Sequence, residues 1–187
     1  RTVRVYREPV VAILCTGEEL VTAGEALPPG KVYDANGPAL AAAVSEARGR
    51  PLMLGRAGDT AEAIAAAMAR GAAAADLVLT AGGVSVGEHD LVRAACRLLG
   101  AREVFWRLNM RPGMPTAAAR LDGKLLLGLS GNPAAALVSF ELLVRPLIHA
   151  LTGRADGSRP RVRAVLEENL PKRARQRRFV RAHVRWE

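Results

Sequence analysis

Aromatic residues and cysteines are scarce in this 187-residue chain, and long uninterrupted apolar runs are lacking. The two cysteines, Cys15 and Cys96, are too few for a disulfide framework, and their spacing fits no zinc site. Both stand among apolar residues, so we expect buried thiols in a cytoplasmic protein. No apolar run approaches the ~18 residues of a membrane span, and the charged start of the chain has no signal-peptide core. These absences argue against a membrane protein, a secreted disulfide protein and a zinc enzyme.

The net charge of +9 comes mainly from the end of the chain. Residues 154–187 hold eleven Lys and Arg against four Asp and Glu, which leaves only +2 on residues 1–153. Aromatic residues make up 4% of the chain, whereas RNA-binding modules use stacking rings beside their positive charge. We therefore expect no nucleic-acid partner.

Short apolar runs alternate with Ala-rich segments as far as residue 153. We predict strands over residues 10–14, 51–54, 76–80 and 103–108, and helices over 38–48, 61–70, 90–99 and 134–151. Asp122-Gly123 lies between two strand-like runs, 117–120 and 124–127, and this predicts a hairpin. The alternation indicates an α/β three-layer sandwich with a mostly parallel sheet.

The pattern changes after residue 153. Val162–Leu166 and Phe179–Trp186 alternate as strands would, and the basic stretch Lys172–Arg178 lies between them. Two strands cannot bury a core alone, so we predict an α/β domain over residues 1–153 and a partial, truncated β domain over 154–187. Because the chain starts at Arg1 rather than at a methionine, we also expect it to be a segment of a longer protein.

Glycine-rich loops follow several of the predicted strands, at the edge where open α/β sheets bind ligands. In the loop from Thr80 to Asp90, Gly82, Gly83 and Ser85 offer N–H groups and a hydroxyl to an anion. The spacing matches neither a dinucleotide fingerprint nor a Walker loop. Thr16 and Gly17 follow the first strand in the same way.

Cations and a second anion loop come later. Arg107 and Arg111 stand beside Pro112, and arginine forks match oxyanions, although solvated surface charges would give the same pattern. The loop Ser130, Gly131, Asn132 and Pro133 ends at a helix start, so it is either a cap or a further set of N–H donors.

Three carboxylates, Glu19, Asp59 and Asp90, stand at loop ends. Taken singly, Asp59 and Asp90 fit helix N-caps. Together the acids suit a divalent cation, because Mg²⁺ prefers oxygen ligands. Ser85 and Ser130 lack a plausible histidine partner in motif terms, so a serine nucleophile is not expected.

Five of these motifs resemble those of the molybdopterin molybdenumtransferase family, which includes the C-terminal domain of gephyrin. They cover residues 10–153 and read CTGEEL at 15–20, YDAN at 33–36, GGVSVG at 82–87 followed by Asp90, MRPGMP at 110–115 and GLSGNP at 128–133. The family commonly has S-T-G-D-E-L, Y-D-[ST]-N, K-P-G-K-P and G-L-P-G-N-P. Ala35, Met114 and Ser130 depart from that pattern.

The resemblance implies the molybdopterin-binding fold, as the central domain of a larger cytoplasmic, homodimeric enzyme. That enzyme inserts molybdate into adenylylated molybdopterin with release of AMP, in a step that needs Mg²⁺. It implies catalytic roles for Glu19, Asp59 and Asp90, with Asp59 and Asp90 on the metal. The implied substrate-binding residues are Thr16, Gly17, Gly82, Gly83, Ser85, Arg107, Arg111, Pro112, Ser130, Gly131, Asn132 and Pro133. A molybdopterin adenylyltransferase and a gephyrin-like scaffold module are the alternatives.

Overall fold

The structure, a computed structural model, describes residues 2–84, 90–154, 159–169 and 175–185. Its strands are β1 (Val10–Thr16), β2 (Leu20–Val21), β3 (Val32–Tyr33), β4 (Arg50–Ala57), β5 (Leu77–Ala81), β6 (Arg102–Trp106), β7 (Met110–Arg111), β8 (Ala117–Leu121), β9 (Lys124–Leu129) and β10 (Arg177–Arg178). Its helices are α1 (Asn36–Glu46), α2 (Ala61–Ala74), α3 (Leu91–Leu98), α4 (Pro133–Ser139) and α5 (Arg145–Leu151). A π-helical turn over Phe140–Val144 joins α4 to α5. The alternation confirms the predicted α/β class.

Six strands form one sheet in the order β4–β1–β5–β9–β8–β6. β1 is parallel to β4 and β5, and β5 is parallel to β9. β8 is antiparallel to both of its neighbours, so within this sheet only β8 runs against the others. Asp122 and Gly123 between β8 and β9 have φ of 48° and 82°, as a type I′ turn requires. The mostly parallel sheet and the predicted hairpin are confirmed.

Helices cover both faces of the sheet and give three layers. β1 is buried along its whole length, and its side chains alternate between two apolar clusters. Ile13 and its neighbours on one face pack with α1 and with the α4–α5 helix. Leu14 and its neighbours on the other face pack with α2 and α3. The continuous apolar run of β1 follows from this burial on both sides.

The helix from α4 to α5 matches the prediction over 134–151 in position but contains the π-helical turn. Pro133–Leu151 is long and apolar enough, by length and composition alone, to cross a membrane. Phe140, Val144 and Ile148, however, are fully buried in the cluster against the sheet. In this structure it is a core helix.

Four charged residues, which we call the Arg145 cluster, join this helix to α1 and to the segment after residue 158. The Arg145 side chain is only 4% exposed and donates to Glu141 at 2.7 Å and Glu46 at 3.1 Å. Arg159 reaches the same two carboxylates, at 3.0 Å and 2.8 Å. Burial opposes ionisation of Glu141, but hydrogen bonds from the two guanidinium groups lower its pKa to about 2.

The boundaries of α1 and α2 differ from the predictions for local reasons. α1 begins two residues before Pro38, because Asp34 Oδ1 accepts from Gly37 N at 3.0 Å. It ends at Glu46, since Arg48 adopts the left-handed conformation with φ of 65°. α2 continues past Gly71, which packs closely against β4 and β1.

The prediction of strands at Val162–Leu166 and Phe179–Trp186 is wrong for the described residues of those ranges. These residues have no neighbouring strand to complete a sheet, and Val165 is 94% exposed. A short strand instead forms within the basic stretch, where β10 lies parallel to β7. Phe179 N donates to Arg111 O at 2.9 Å, so the C-terminal segment is held against the loop that follows β6.

The segment before β1 packs against the residue that precedes β5 and against the residues that follow α5. Arg7 makes a bidentate ion pair with Asp76, at 2.7 Å and 2.5 Å. The Tyr6 ring lies so close to Gly153 that any side chain at residue 153 would collide with it. Residues that enter β1 and residues that leave α5 are therefore neighbours.

Candidate functional site

A cleft of about 300 Å³ opens beyond the carboxyl ends of β1 and β5. The chain passes from β1 to β4 on one side and then to β5 on the other, so the strand order reverses between β1 and β5. Open α/β sheets bind ligands at this kind of switch point. The described residues that line the cleft are Thr16, Gly17, Glu19, Leu20, Asn36, Asp59, Gly82, Gly83, Val84, Leu91 and Gly131.

The glycine loop after β5 forms one wall because it packs directly on the end of β1. Gly82 and Gly83 have φ of 92° and 66°, a region that side chains rarely adopt. A Cβ at residue 82 would lie 2.5 Å from Thr16 O, and one at residue 83 would lie 2.9 Å from Thr16 Oγ1. Gly82 N already donates to Leu129 O at 3.1 Å. Gly82 therefore provides space for close packing rather than an N–H group for a ligand.

Thr16 places a hydroxyl group under this wall. Its Oγ1 is buried and has no hydrogen-bond partner among the described residues. A buried hydroxyl without a partner is unfavourable, so Thr16 is suited to bond a ligand that enters the cleft. The sequence predicted Thr16 and Gly17 in the site, and both line the cleft.

Two of the three predicted carboxylates, Glu19 and Asp59, line the same cleft. Thr60 caps α2 through a bond from Ala63 N at 3.2 Å, so the N-cap explanation of Asp59 does not hold. Asp59 Oδ2 instead accepts from Glu18 N at 3.1 Å, which ties the loop after β4 to the loop after β1. Both side chains are exposed, and they bring negative charge to a wall made of glycine.

Asp90 stands behind the cleft rather than at its surface. Only 9% of the residue is exposed. Its Oδ1 caps α3 by accepting from Arg93 N at 3.1 Å, and its Oδ2 accepts from Trp106 Nε1 at 2.8 Å. The next residue, Leu91, lines the cleft, whereas Asp90 is not among the described lining residues.

Residues 12–150 match the family described as probable molybdopterin binding domain. The chain belongs to this family. It is 40% identical to the molybdopterin molybdenumtransferase of Bacillus subtilis (strain 168) over 183 residues, which is 98% of this chain and 43% of that protein. The chain thus spans less than half the length of this relative.

Solved structures agree with this molybdopterin-binding domain assignment. The molybdopterin biosynthesis MoeA protein from Pyrococcus horikoshii has a TM-score of 0.73 and 34% identity, covering 80% of this chain and 37% of that chain. The molybdopterin biosynthesis enzyme MoaB from Thermus thermophilus has a TM-score of 0.59 and 22% identity, covering 78% and 98%. At 22% identity, the similarity to the Thermus thermophilus protein shows a shared fold and no more.

Asn36 is a lining residue of this molybdopterin-binding domain that the sequence-based list of site residues lacks. It is buried, and its Nδ2 donates to Gly131 O at 2.8 Å, which joins the start of α1 to the loop before α4. Its position at the start of α1, in the YDAN motif, was a usable signal. The apolar lining residues Leu20 and Val84 also lie in quoted motifs, CTGEEL and GGVSVG, whereas Leu91 lies in none of them.

The remaining predicted residues lie outside the described lining of the cleft. Arg107 and Arg111 are exposed, and Pro112 is half-buried, on the loop between β6 and β8. Asn132 Oδ1 caps α4, with Ala134 N at 3.0 Å, and Pro133 occupies its first turn. Ser130 is buried beside Gly131, and its Oγ accepts from Asn132 N at 3.3 Å. Ser85 lies outside the residues that the structure describes.

Both cysteines are buried, as predicted, and neither lines the described cleft. Burial raises the pKa of Cys15, and the carboxylate of Asp34 raises it further. Burial likewise raises the pKa of Cys96 to about 11. Both thiols are therefore protonated at neutral pH and do not act as nucleophiles.

Proposed function

We propose that this chain is the pterin-nucleotide-binding part of a molybdopterin molybdenumtransferase, which inserts molybdate into adenylylated molybdopterin and releases AMP. One observation carries the proposal: a glycine wall, a buried hydroxyl and two carboxylates share one cleft at the switch point of the sheet. The name of the Bacillus subtilis relative supports the choice among enzymes of this fold. The homodimeric, cytoplasmic parent enzyme belongs to the same proposal.

The glycine wall and the start of α3 would receive the phosphate groups of the nucleotide. Glycine at residues 82 and 83 lets the wall pack closely on Thr16, which lines the same cleft. α3 begins at Leu91 in the lining, and a helix N-terminus favours negative charge. Thr16 Oγ1 would donate to the bound group. Arg107 and Arg111, on their separate loop, would attract molybdate.

Glu19 and Asp59 fit a Mg²⁺ ion that also contacts substrate phosphate, because Mg²⁺ is usually held by one or two carboxylates, phosphates and water. No group of three or more acidic, His or Cys ligands occurs among the described residues, so substrate phosphate and water would have to complete the coordination of such an ion. When bound, Mg²⁺ would offset charge on the phosphate oxygens as AMP leaves. Asp59 also accepts from Glu18 N, so it keeps the two acidic loops together.

The test is calorimetric titration of the 187-residue chain with AMP, with and without MgCl₂. We expect AMP to bind more tightly with Mg²⁺, and Asp59→Asn or Glu19→Gln to remove most of that Mg²⁺ effect. Glu62→Gln, the same chemical change in the first turn of α2 and away from the cleft, is the control. AMP binding that ignores both Mg²⁺ and these variants would contradict the proposal.

The reaction itself is tested in the full-length parent enzyme. Molybdate-dependent release of AMP from adenylylated molybdopterin is the expected activity, and it should be lost in Asp59→Asn. ATP-dependent adenylylation of molybdopterin without molybdate would instead identify an adenylyltransferase.

A further inference from the structure

Trp106, at the end of β6, is joined to the residues around the cleft by a hydrogen bond to Asp90. Its indole Nε1 donates to Asp90 Oδ2 at 2.8 Å, and the ring is half-buried against the cluster that contains α2 and α3. The Arg93 guanidinium lies over the ring, 5.1 Å from its centroid, and Arg93 pairs with Glu103 at 3.0 Å. Of these contacts, the hydrogen bond to Asp90 is the one that fixes the position of the indole N–H.

Asp90 connects Trp106 to residues that line the cleft. Its other oxygen caps α3 at Arg93 N, and the neighbouring Val92 N donates to Gly83 O at 3.3 Å. Gly83 and Leu91 both line the cleft. A shift of the Asp90 carboxylate would therefore move the first turn of α3 and the glycine wall together.

Two hydrogen-bond donors face the two carboxylate oxygens of Asp90, so both oxygens must accept. Arg93 N and Trp106 Nε1 are both donors, and they bond different oxygens of the carboxylate. An asparagine has one acceptor oxygen and one NH₂ group. In Asp90→Asn, the NH₂ group must face one of the two donors, although asparagine is as good an N-cap as aspartate on a simple helix.

We infer that Trp106 is a positioning residue, which sets the glycine wall and the start of α3 by donating to one carboxylate oxygen of Asp90 while the other oxygen caps α3. Its consequence for catalysis rests on the proposed function. Asp90 then acts through the shape of the cleft, and the metal-facing carboxylates are Glu19 and Asp59.

Amide hydrogen exchange of the 187-residue chain, measured by NMR at Val92 and Arg93, tests this inference. Trp106→Phe removes the indole donor and keeps a ring beneath Arg93. We expect exchange at both amides to rise about 10-fold after correction for global stability, as loss of a hydrogen bond to a charged group implies. The matched control is Glu103→Gln, which weakens the ion pair with Arg93 and leaves the Asp90 bonds in place.

A double-variant cycle separates positioning from general damage. Asp90→Asn alone should raise the exchange rate. Adding Trp106→Phe should partly reverse that increase, because the indole N–H no longer faces the NH₂ group of the asparagine. The inference is overturned if Trp106→Phe matches Glu103→Gln, or if the two substitutions act independently. Should Trp106→Phe fail to fold, the wild-type indole N–H decides: exchange as slow as at Val92 supports the inference, and exchange as in an unstructured tryptophan overturns it.

AMP binding gives the functional outcome. We expect Trp106→Phe to weaken AMP binding about 10-fold and Glu103→Gln to leave it unchanged. If Trp106→Phe binds AMP as the wild type does, although exchange has risen, the link from Trp106 to the cleft is overturned. If the wild-type chain binds no AMP, the proposed function loses its support, while the exchange cycle still decides the role of Trp106.

Discussion

Gly82 and Gly24 have nearly the same backbone conformation but very different surroundings. Their φ values are 92° and 95°. A Cβ on Gly82 would lie 2.5 Å from Thr16 O, whereas one on Gly24 would meet nothing within 4 Å. The pair therefore separates the cost of a left-handed backbone from the cost of close packing at the cleft.

We predict that Gly24→Ala lowers the free energy of unfolding by about 1 kcal/mol, through backbone strain alone. Gly82→Ala should lower it by about 3 kcal/mol and also weaken AMP binding, because the glycine wall must move away from β1. Urea unfolding and calorimetry measure the two effects. Equal losses in both variants would show that Thr16 yields easily and that the wall is not closely packed.

Single residues also show what sequence reasoning reached and what it missed. Gly82 and Asp59 could be placed at one edge because parallel strands end together. Asp59 and Thr60 are adjacent and both suit an N-cap, so only the structure shows that Thr60 is the cap. The bond from Trp106 to Asp90 joins two elements that are not adjacent in sequence, and no local pattern predicts which ring meets which carboxylate.

At the scale of elements, the Arg145 cluster links α1, the π-helical turn, α5 and the segment that contains Arg159. The buried guanidinium of Arg145 depends on the carboxylates of Glu46 and Glu141. Because the folded-state pKa of Glu141 is about 2, below its usual 4.5, this group stabilises the fold above about pH 4.5. That contribution is lost as the pH falls through about 2.

We predict that Glu141→Gln lowers the free energy of unfolding at pH 7 by about 2 kcal/mol. Removing one partner of a buried ion pair costs about 3–5 kcal/mol, and the loss is smaller here because Glu46 remains beside Arg145 in this variant. Between pH 4.5 and pH 2 the variant should lose less stability than the wild type. Urea unfolding across this range checks both statements, with Glu62→Gln as control. Parallel pH profiles in all three proteins would be inconsistent with a paired Glu141.

The elements themselves followed from apolar periodicity up to residue 153, because each run there is buried against the same sheet. Val162–Leu166 has the alternation of a strand, yet a strand forms only with a partner, and the described chain offers none there. The sequence pattern does not predict β10 within the basic stretch, because its pairing with β7 uses backbone groups. Sequence patterns report side-chain burial, and backbone pairing at an exposed segment leaves no such trace.

For the molecule as a whole, the excess positive charge belongs to a segment that extends from the α/β unit. β10 pairs with β7 through only two residues, and most described residues around it are exposed. An exposed segment with excess positive charge is enough for nonspecific attraction to a polyanion.

We predict weak, salt-sensitive and sequence-blind binding to oligonucleotides, with a dissociation constant on the order of 10⁻⁴–10⁻⁶ M. The measurement is a titration with duplex and single-stranded oligonucleotides at physiological salt, comparing this chain with one that ends at Gly153. Tight binding that depends on base sequence and disappears on truncation would overturn our view that this segment has no nucleic-acid role.

The contact between Tyr6 and Gly153 has a consequence for how the α/β unit connects to other chain. Because the residues that enter β1 and those that leave α5 lie side by side, both connections of the unit start from one place on its surface. A host polypeptide could accept it within one loop, without its own flanking strands or helices being pulled apart. By the same geometry, a short linker between these points would close the unit into a ring, and new termini could open at the Asp122-Gly123 turn with the sheet order unchanged.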